Sequence, residues 1–373
     1  MSGQTSSDHG RFVVLDGMRG LAAIAVIMDH VTSVALQGLF PGRALAVDFF
    51  FVLSGFVLSY VYGERLRTGM SFFSFMRVRV IRLYPLYFLG TLMGAALALL
   101  QATKHWIPYP PINALWAFLC GIFFIPCPPQ VTTEWLSIYP LDGPGWSLFF
   151  ELVVNVAFAL LITRLSWRFL IGLLAVAVPP LLYCTIWTGS TDMGWSWENV
   201  IGGFPRVTYG FFAGVLVYKL WTTVKIPALP AWAAFVVLIA VFMFPIPERA
   251  PFRWIFDVLA ATVIFPILVA VSAGAQAKGL LLKASAKAGA LSYSVYILHV
   301  PIWNWAKAML PIVAPWWNAI PGFVHYFMIA AIAVTAAAIL DQIYDRPLRR
   351  WLARPRKRSP LLEQAGNSRG EIG

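Results

Sequence analysis

Long apolar runs recur along the whole chain and constrain its fold more than any other feature of the sequence. Ten of them are about 20 residues long, the length that an α-helix needs to cross the hydrocarbon core of a bilayer. With 60% hydrophobic and 12% charged residues, the 373-residue chain has too little polar surface for a water-soluble domain. The sequence therefore predicts an integral membrane protein. The ten runs are 12–33, 44–62, 80–100, 146–163, 168–187, 200–221, 229–247, 252–273, 289–310 and 322–343.

An eleventh apolar run, 112–125, is too short to cross the bilayer. It has 14 residues and is bounded by prolines on both sides, and runs of this length are more often re-entrant or interfacial. If it does not cross, and if the N-terminus is cytoplasmic, the basic loops all fall inside, as the positive-inside rule requires. The outside loops then hold only three basic residues, Arg43, Lys104 and Arg249.

Length, run spacing and charge together define the expected architecture. We predict an all-α integral membrane protein, a bundle of about ten transmembrane helices with cytoplasmic N- and C-termini and a re-entrant or interfacial segment near 112–125. A polar N-terminal tail (1–10) precedes the transmembrane domain (11–345), and a basic cytoplasmic tail (346–373) follows it. The net charge of +12 lies beside hydrophobic runs, which indicates a lipid bilayer as partner and no nucleic acid.

Ionisable residues inside predicted spans are costly to bury and mark functional sites. In the first span, Arg19 and His30 are 11 positions apart, which is about 20° in helical phase, so they share one face. They are expected to lie about 16 Å apart along the axis, with Arg19 in the inner half. Taken alone, Arg19 would be explained as a snorkelling residue and His30 as a packing residue, but the polar residues expected near them in other spans favour a functional role.

Two carboxylates are expected near the depth of His30. Asp48 lies at the outer end of the second span, where capping of the helix N-terminus is an equally good explanation. Glu151 lies about a turn and a half into the fourth span and has no nearby Lys or Arg in sequence, so it needs a partner from another helix. Either carboxylate would be able to orient the His30 imidazole and stabilise its charged form.

Arg79 and Arg82 in the third segment are spaced i,i+3 and share a face at the predicted inner edge. Planar guanidinium groups match phosphate geometry; lipid headgroups and an ordinary basic flank are the alternatives. Trp146 lies at the predicted outer interface, where tryptophan is commonly a membrane anchor, and Ser147 is spaced i,i+4 from Glu151 and shares its face. In the ninth span, Ser292, Tyr296 and His299 form one stripe, which would either line a polar cavity or form a structural hydrogen-bond network.

Five sequence pieces in one order resemble the acyltransferase-3 family, bacterial membrane O-acyltransferases of surface polysaccharides and related glycans. The similarity covers about residues 11–345. The pieces are LDGMRGLAAIAVIMDH (15–30), VDFFFVLSGFVLS (47–59), RVIRLYPLY (79–87), GWSLFFE (145–151) and LSYSVYILHVPI (291–302). Within them, His30 matches the family's essential histidine, Arg19, Arg79 and Arg82 match its conserved arginines, and Glu151 matches its motif glutamate.

The resemblance implies transfer of an acyl group, usually acetyl, from cytoplasmic acyl-CoA to a carbohydrate or glycolipid hydroxyl at the bacterial inner membrane. Acyl-CoA is then a donor substrate, and no permanently bound cofactor or metal is expected. The predicted catalytic residues are His30, Glu151 and Asp48. Arg19, Arg79 and Arg82 are predicted to bind acyl-CoA, and Trp146, Ser147, Tyr296 and His299 the acceptor. A secondary transporter or polysaccharide flippase is the main alternative, because it would also bury Arg, His and Glu in about ten helices.

Overall fold

The computed structural model describes residues 12–31, 40–104, 110–132, 136–247, 250–314, 316–317 and 320–354. The predicted N-terminal tail 1–10 lies outside the described residues, as does the predicted basic tail beyond 354. The described part of the chain is helical, with no strand and one isolated bridge between Ser137 and Ser196. The helices are α1 (Val13–Val31), α2 (Ala46–Arg67), α3 (Phe72–Thr103), α4 (Pro111–Ile122), α5 (Gly145–Leu161), α6 (Trp167–Thr188), α7 (Val200–Thr223), α8 (Ala231–Phe242), α9 (Arg253–Ser272), α10 (Gly279–Val313), α11 (Gly322–Leu340) and α12 (Arg346–Leu352).

Each of the ten predicted spans contains a helix, which confirms the all-helical class. Among the described residues, six helical segments are long and apolar enough to cross a membrane by length and composition. The shorter α5 and α8 are apolar but have only 17 and 12 residues. The number of crossings and the side on which the termini lie therefore stay predictions.

The short run 112–125 forms the separate helix α4. It has 12 residues, or about 18 Å at the usual rise per residue, well short of a bilayer core. Pro111 begins the helix, and the hydroxyl groups of Tyr84 and Tyr87 on α3 donate to the carbonyl oxygens of Ile122 and Gly121 at its end. Helix α4 is thus held against α3 as a short packed segment.

Small residues allow two helix pairs to pack with their backbones almost in contact. A Cβ atom on Gly20 of α1 would lie 2.5 Å from the Ala288 side chain of α10. A Cβ atom on Gly55 of α2 would overlap the Phe211 carbonyl oxygen of α7, and one on Gly214 would overlap the backbone of α2 in the same way. Such contacts are typical of helix packing in membranes, where van der Waals contact replaces the hydrophobic effect. They fix α1 against α10 and α2 against α7.

Candidate active site

A cavity of about 250 Å³ opens where α1 ends and α5 begins, and we call it the His30 pocket. Apolar, aromatic and charged side chains line it together, a composition that suits a ligand with both a ring face and hydroxyl groups. Its walls come from α1, α2, α5, α10 and the loops before α2, α5 and α7. The lining residues are Val26, His30, Arg43, Ala44, Val47, Ser137, Gly143, Pro144, Trp146, Asp192, Trp195 and Tyr296.

His30 meets a second histidine at this pocket. The Nδ1 atom of His30 lies 3.2 Å from Nε2 of His299 and 3.1 Å from the Val26 carbonyl oxygen. The two rings are edge-to-face, with centroids 4.8 Å apart. His30 is exposed to the pocket whereas His299 is fully buried. The close packing of α1 on α10 brings the two imidazoles together.

The residues predicted to bind the acceptor are gathered around the same pocket. Trp146 and Tyr296 line it directly. The Ser147 hydroxyl lies 2.6 Å from the Tyr296 hydroxyl, so it ties the start of α5 to α10. His299 contacts His30 but is not itself one of the residues that line the pocket. The structure therefore brings all four of these residues to the His30 end of the bundle.

The three predicted acyl-CoA arginines come together further along the bundle, and we call Arg19, Arg79 and Arg82 the arginine cluster. Arg19 bonds Ser292 and the Gly289 carbonyl oxygen on α10. Arg19 and Arg79 each lie within electrostatic range of Arg82. Arg82 is exposed, whereas Arg79 is 5% exposed and is therefore buried among the helices. Asp16 forms a 3.1 Å ion pair with Arg19, so carboxylates compensate part of the positive charge that the cluster gathers beside the first half of α1.

Glu151 belongs to the arginine cluster and not to His30. Its Oε1 atom lies 2.6 Å from Nη2 of Arg79 and accepts a 3.0 Å hydrogen bond from the Ser54 hydroxyl. The expectation that Glu151 orients His30 is therefore not met by the described contacts. The physical reason is that burying the Arg79 guanidinium requires a counter-charge, and α5 faces α3 and α2 at this depth.

Asp48 also has a different partner from the one expected. Both of its carboxylate oxygens accept 2.8 Å hydrogen bonds from Arg206 of α7, and Thr191 donates a longer bond to it. Asp48 and Arg206 are each 2% exposed. None of these contacts involves His30, so the predicted orienting role of Asp48 is not supported. Asp48 and Arg206 pair because both are buried away from water, and each charge is stabilised there by the opposite charge of the other.

Arg206 joins several walls of the His30 pocket. It donates to the carbonyl oxygens of Met193 and Ala44, and its guanidinium carbon lies 5.3 Å from the centre of the Trp146 ring. Sequence reasoning missed this residue, although it lies inside the apolar run 200–221. The criterion of ionisable residues within spans would have found it. The same criterion gives no signal for Asp192 and Trp195, which are in a loop.

A further buried carboxyl group, that of Asp142, lies outside both the arginine cluster and the lining of the His30 pocket. Asp142, in the loop before α5, is 1% exposed, and neither carboxyl oxygen has a hydrogen-bond partner among the described residues. Burial therefore raises the pKa of Asp142 well above its ordinary value. The side chain lies against Gly90 of α3, close to Pro301 of α10, so the neutral acid is packed among these helices.

Comparison with known proteins adds evidence that is independent of this geometry. The family model described as "Acyltransferase domain" matches residues 12–341. "Protein 2 in picA locus" of Rhizobium radiobacter is 36% identical over 188 residues, which is 48% of this chain and 96% of that protein. "Exopolysaccharide production protein ExoZ" of Rhizobium meliloti is 26% identical over 269 residues, covering 69% of this chain and 75% of that protein. No solved structure matches the chain.

Proposed function

Since the chain belongs to the acyltransferase-3 family, we propose that it moves an acyl group, most simply acetyl, from acyl-CoA to a hydroxyl of an exported glycan. The reaction type, acyl transfer, is inferred from the family membership. The acceptor class is supported by the name of the exopolysaccharide production protein that the chain resembles. The acyl-CoA donor is supported by the arginine cluster, because guanidinium groups suit phosphates.

The observation on which the proposal depends is the arrangement along α1. His30 is the last residue but one of α1 and lies at the open pocket, whereas Arg19 lies 11 positions earlier, in the first half of the helix, and belongs to the arginine cluster. The separation of about 16 Å along the axis suits a donor whose phosphates and thioester are far apart. CoA meets that requirement, since the extended pantetheine arm joins its phosphates to the thioester sulfur.

In the proposed reaction, the acceptor sugar binds in the His30 pocket with its ring against Trp146 and Trp195. His30 removes the proton of the attacking hydroxyl, and the oxygen attacks the thioester carbonyl carbon. The carbon–sulfur bond breaks, and His30 returns the proton to the leaving sulfur, so CoA departs as a thiol. General base catalysis of this kind typically supplies about 10²–10⁴-fold in rate.

The same proposal fixes the orientation in the membrane. Acyl-CoA is made in the cytoplasm, so the arginine cluster faces it, and the His30 pocket faces the opposite side of a bacterial inner membrane. The loops that line the pocket are then external. The basic loops predicted to be inside support this orientation.

The test is acyl-CoA turnover by the purified protein, followed as release of CoA thiol in the presence of candidate exported glycans. His30→Ala is expected to abolish turnover while leaving acyl-CoA binding intact. His325→Ala is the matched control, since His325 contacts the Trp317 carbonyl oxygen and lies outside the pocket lining. Near-normal turnover in His30→Ala would end the general-base mechanism. Glycan movement without thiol release in the wild type would instead support a flippase.

A further inference from the structure

We propose that His299 is a positioning residue that fixes the His30 ring in the tautomer with its proton on Nδ1 and its lone pair on Nε2. The inference rests on the proposed function, in which His30 is the general base. It assigns to a neutral imidazole the orienting task that a carboxylate performs in many hydrolases.

The tautomer of His299 follows from its own hydrogen bond. Its Nδ1 atom lies 2.6 Å from the carbonyl oxygen of Tyr296. A carbonyl oxygen only accepts, so Nδ1 of His299 carries the proton. In a neutral imidazole the other nitrogen is then an acceptor, and Nε2 of His299 presents its lone pair to His30.

The tautomer of His30 follows from a second carbonyl group, independently of the first. Nδ1 of His30 lies 3.1 Å from the Val26 carbonyl oxygen, which also can only accept. Nδ1 of His30 therefore carries a proton, which is shared between the Val26 oxygen and the Nε2 lone pair of His299 3.2 Å away. The two assignments are compatible, because Nδ1 of His30 donates a proton and Nε2 of His299 accepts it. Nε2 of His30 is left unprotonated for the acceptor hydroxyl.

A neutral acceptor has a chemical advantage over a carboxylate in this position. A carboxylate would favour the charged imidazolium before reaction and so reduce the fraction of usable base. The neutral Nε2 atom of His299 orients the ring without adding a charge. When His30 takes the hydroxyl proton, the bond from its Nδ1 to His299 becomes charge-assisted and strengthens. His299 therefore favours the transition state over the ground state.

The two carboxylates that the sequence suggested for this role, Asp48 and Glu151, are engaged elsewhere. Asp48 is bound by Arg206, and Glu151 by Arg79. The other titratable groups facing the pocket are Tyr296 on α10, Arg43 in the 3₁₀ turn before α2 and Asp192 in the loop before α7. A pH profile of the reaction must therefore be compared between variants that keep these three groups unchanged.

The first experiment compares His299→Leu with His299→Gln. Leucine fills the buried site but offers no acceptor, so we expect kcat to fall about 100-fold with the KM for acetyl-CoA changed less than twofold. The glutamine side-chain oxygen is able to accept from His30, so His299→Gln is expected to recover kcat to within tenfold of the wild type. His325→Leu is the matched control and is expected to change neither parameter. Equal kcat in the leucine variant and the wild type, or equal loss in both His299 variants, would overturn the proposal.

The second experiment reads the tautomer directly and does not require turnover. Nitrogen-15 NMR of protein labelled at histidine, with His9, His105 and His325 replaced by glutamine, distinguishes a protonated from an unprotonated ring nitrogen. We expect His30 to show a protonated Nδ1 and an unprotonated Nε2 at neutral pH, and to lose this preference in His299→Leu. The opposite tautomer in the wild type would overturn the inference. If the protein transferred no acyl group at all, the proposed function would fail while this measurement still decided the tautomer.

Discussion

The buried pair of Asp48 and Arg206 gives a sharp test of whether Asp48 is structural or catalytic. Both side chains are 2% exposed, and their two hydrogen bonds are each 2.8 Å long. Asp48→Ala would leave the Arg206 guanidinium buried, with the carbonyl oxygens of Met193 and Ala44 as its hydrogen-bond acceptors among the described residues. Breaking a buried ion pair in this way typically costs about 3–5 kcal/mol.

The expected consequence is a loss of stability and not a selective loss of chemistry. A cost of about 3–5 kcal/mol corresponds to a Tm lower by on the order of 5–10 °C for a domain of this size. Arg206→Met is expected to cost a similar amount, because it leaves the Asp48 carboxylate buried. The double variant Asp48→Ala/Arg206→Met removes both charges, so it is expected to be more stable than the sum of the two single changes by about 2 kcal/mol or more.

The assay is thermal unfolding of the detergent-purified variants, with kcat measured well below Tm. Arg65→Met, an exposed arginine on the same helix as Asp48, is the control and is expected to change stability by no more than about 0.5 kcal/mol. Unchanged stability of Asp48→Ala together with a collapse of kcat would refute this reasoning and return Asp48 to the catalytic group. Additive single and double changes would show that the ion pair itself contributes nothing.

Three further predictions concern the arginine cluster, the membrane orientation and Asp142. Arg82→Ala is expected to raise the Kd for acetyl-CoA at least tenfold, with only partial rescue by Arg82→Lys, since lysine lacks the planar fork; unchanged affinity by calorimetry would indicate lipid headgroups instead. In a variant without native cysteines, Gln130→Cys is expected to react with an impermeant maleimide from outside and Lys283→Cys only after the membrane is opened; the reverse pattern would invert the proposed orientation. Burial raises the folded-state pKa of Asp142 above its ordinary value of 3.8, so the folded state holds this proton to higher pH than the unfolded chain. The contribution of Asp142 to the free energy of unfolding is then greatest below pH 3.8 and falls as the pH rises toward the raised pKa. Asp142→Asn is expected to make Tm fall less steeply with rising pH. An unchanged dependence of Tm on pH in this variant would contradict the prediction.

Local sequence patterns are sufficient to specify the class of protein and the positions of its helices. Apolar runs of about 20 residues leave no soluble alternative, and every predicted run contains a helix. The short run 112–125 forms a separate helix of 12 residues, and its re-entrant or interfacial position in the bilayer stays a prediction. These features follow from local composition, because a helix in a bilayer satisfies its backbone hydrogen bonds within its own segment.

Sequence patterns also identify most of the residues that form the arginine cluster and the surroundings of the His30 pocket. Helical periodicity places Arg19 and His30 on one face of α1, and the i,i+4 spacing places Ser147 and Glu151 on one face of α5. Periodicity relates residues within a helix, so these relations follow from the spacing of the residues alone. It says nothing about which neighbouring helix that face meets.

Which charges become partners depends on the tertiary packing alone. Glu151 pairs with Arg79, Asp48 pairs with Arg206, and His30 meets His299, although the sequence had favoured a carboxylate beside His30. The reason is physical: a buried charge must find its counter-charge among the helices packed next to it, and the rotation and neighbours of each helix are set by close backbone contacts such as Gly55 against Phe211. Gly55 and Phe211 are far apart in the sequence and lie on different helices, and no local pattern in the sequence encodes their contact.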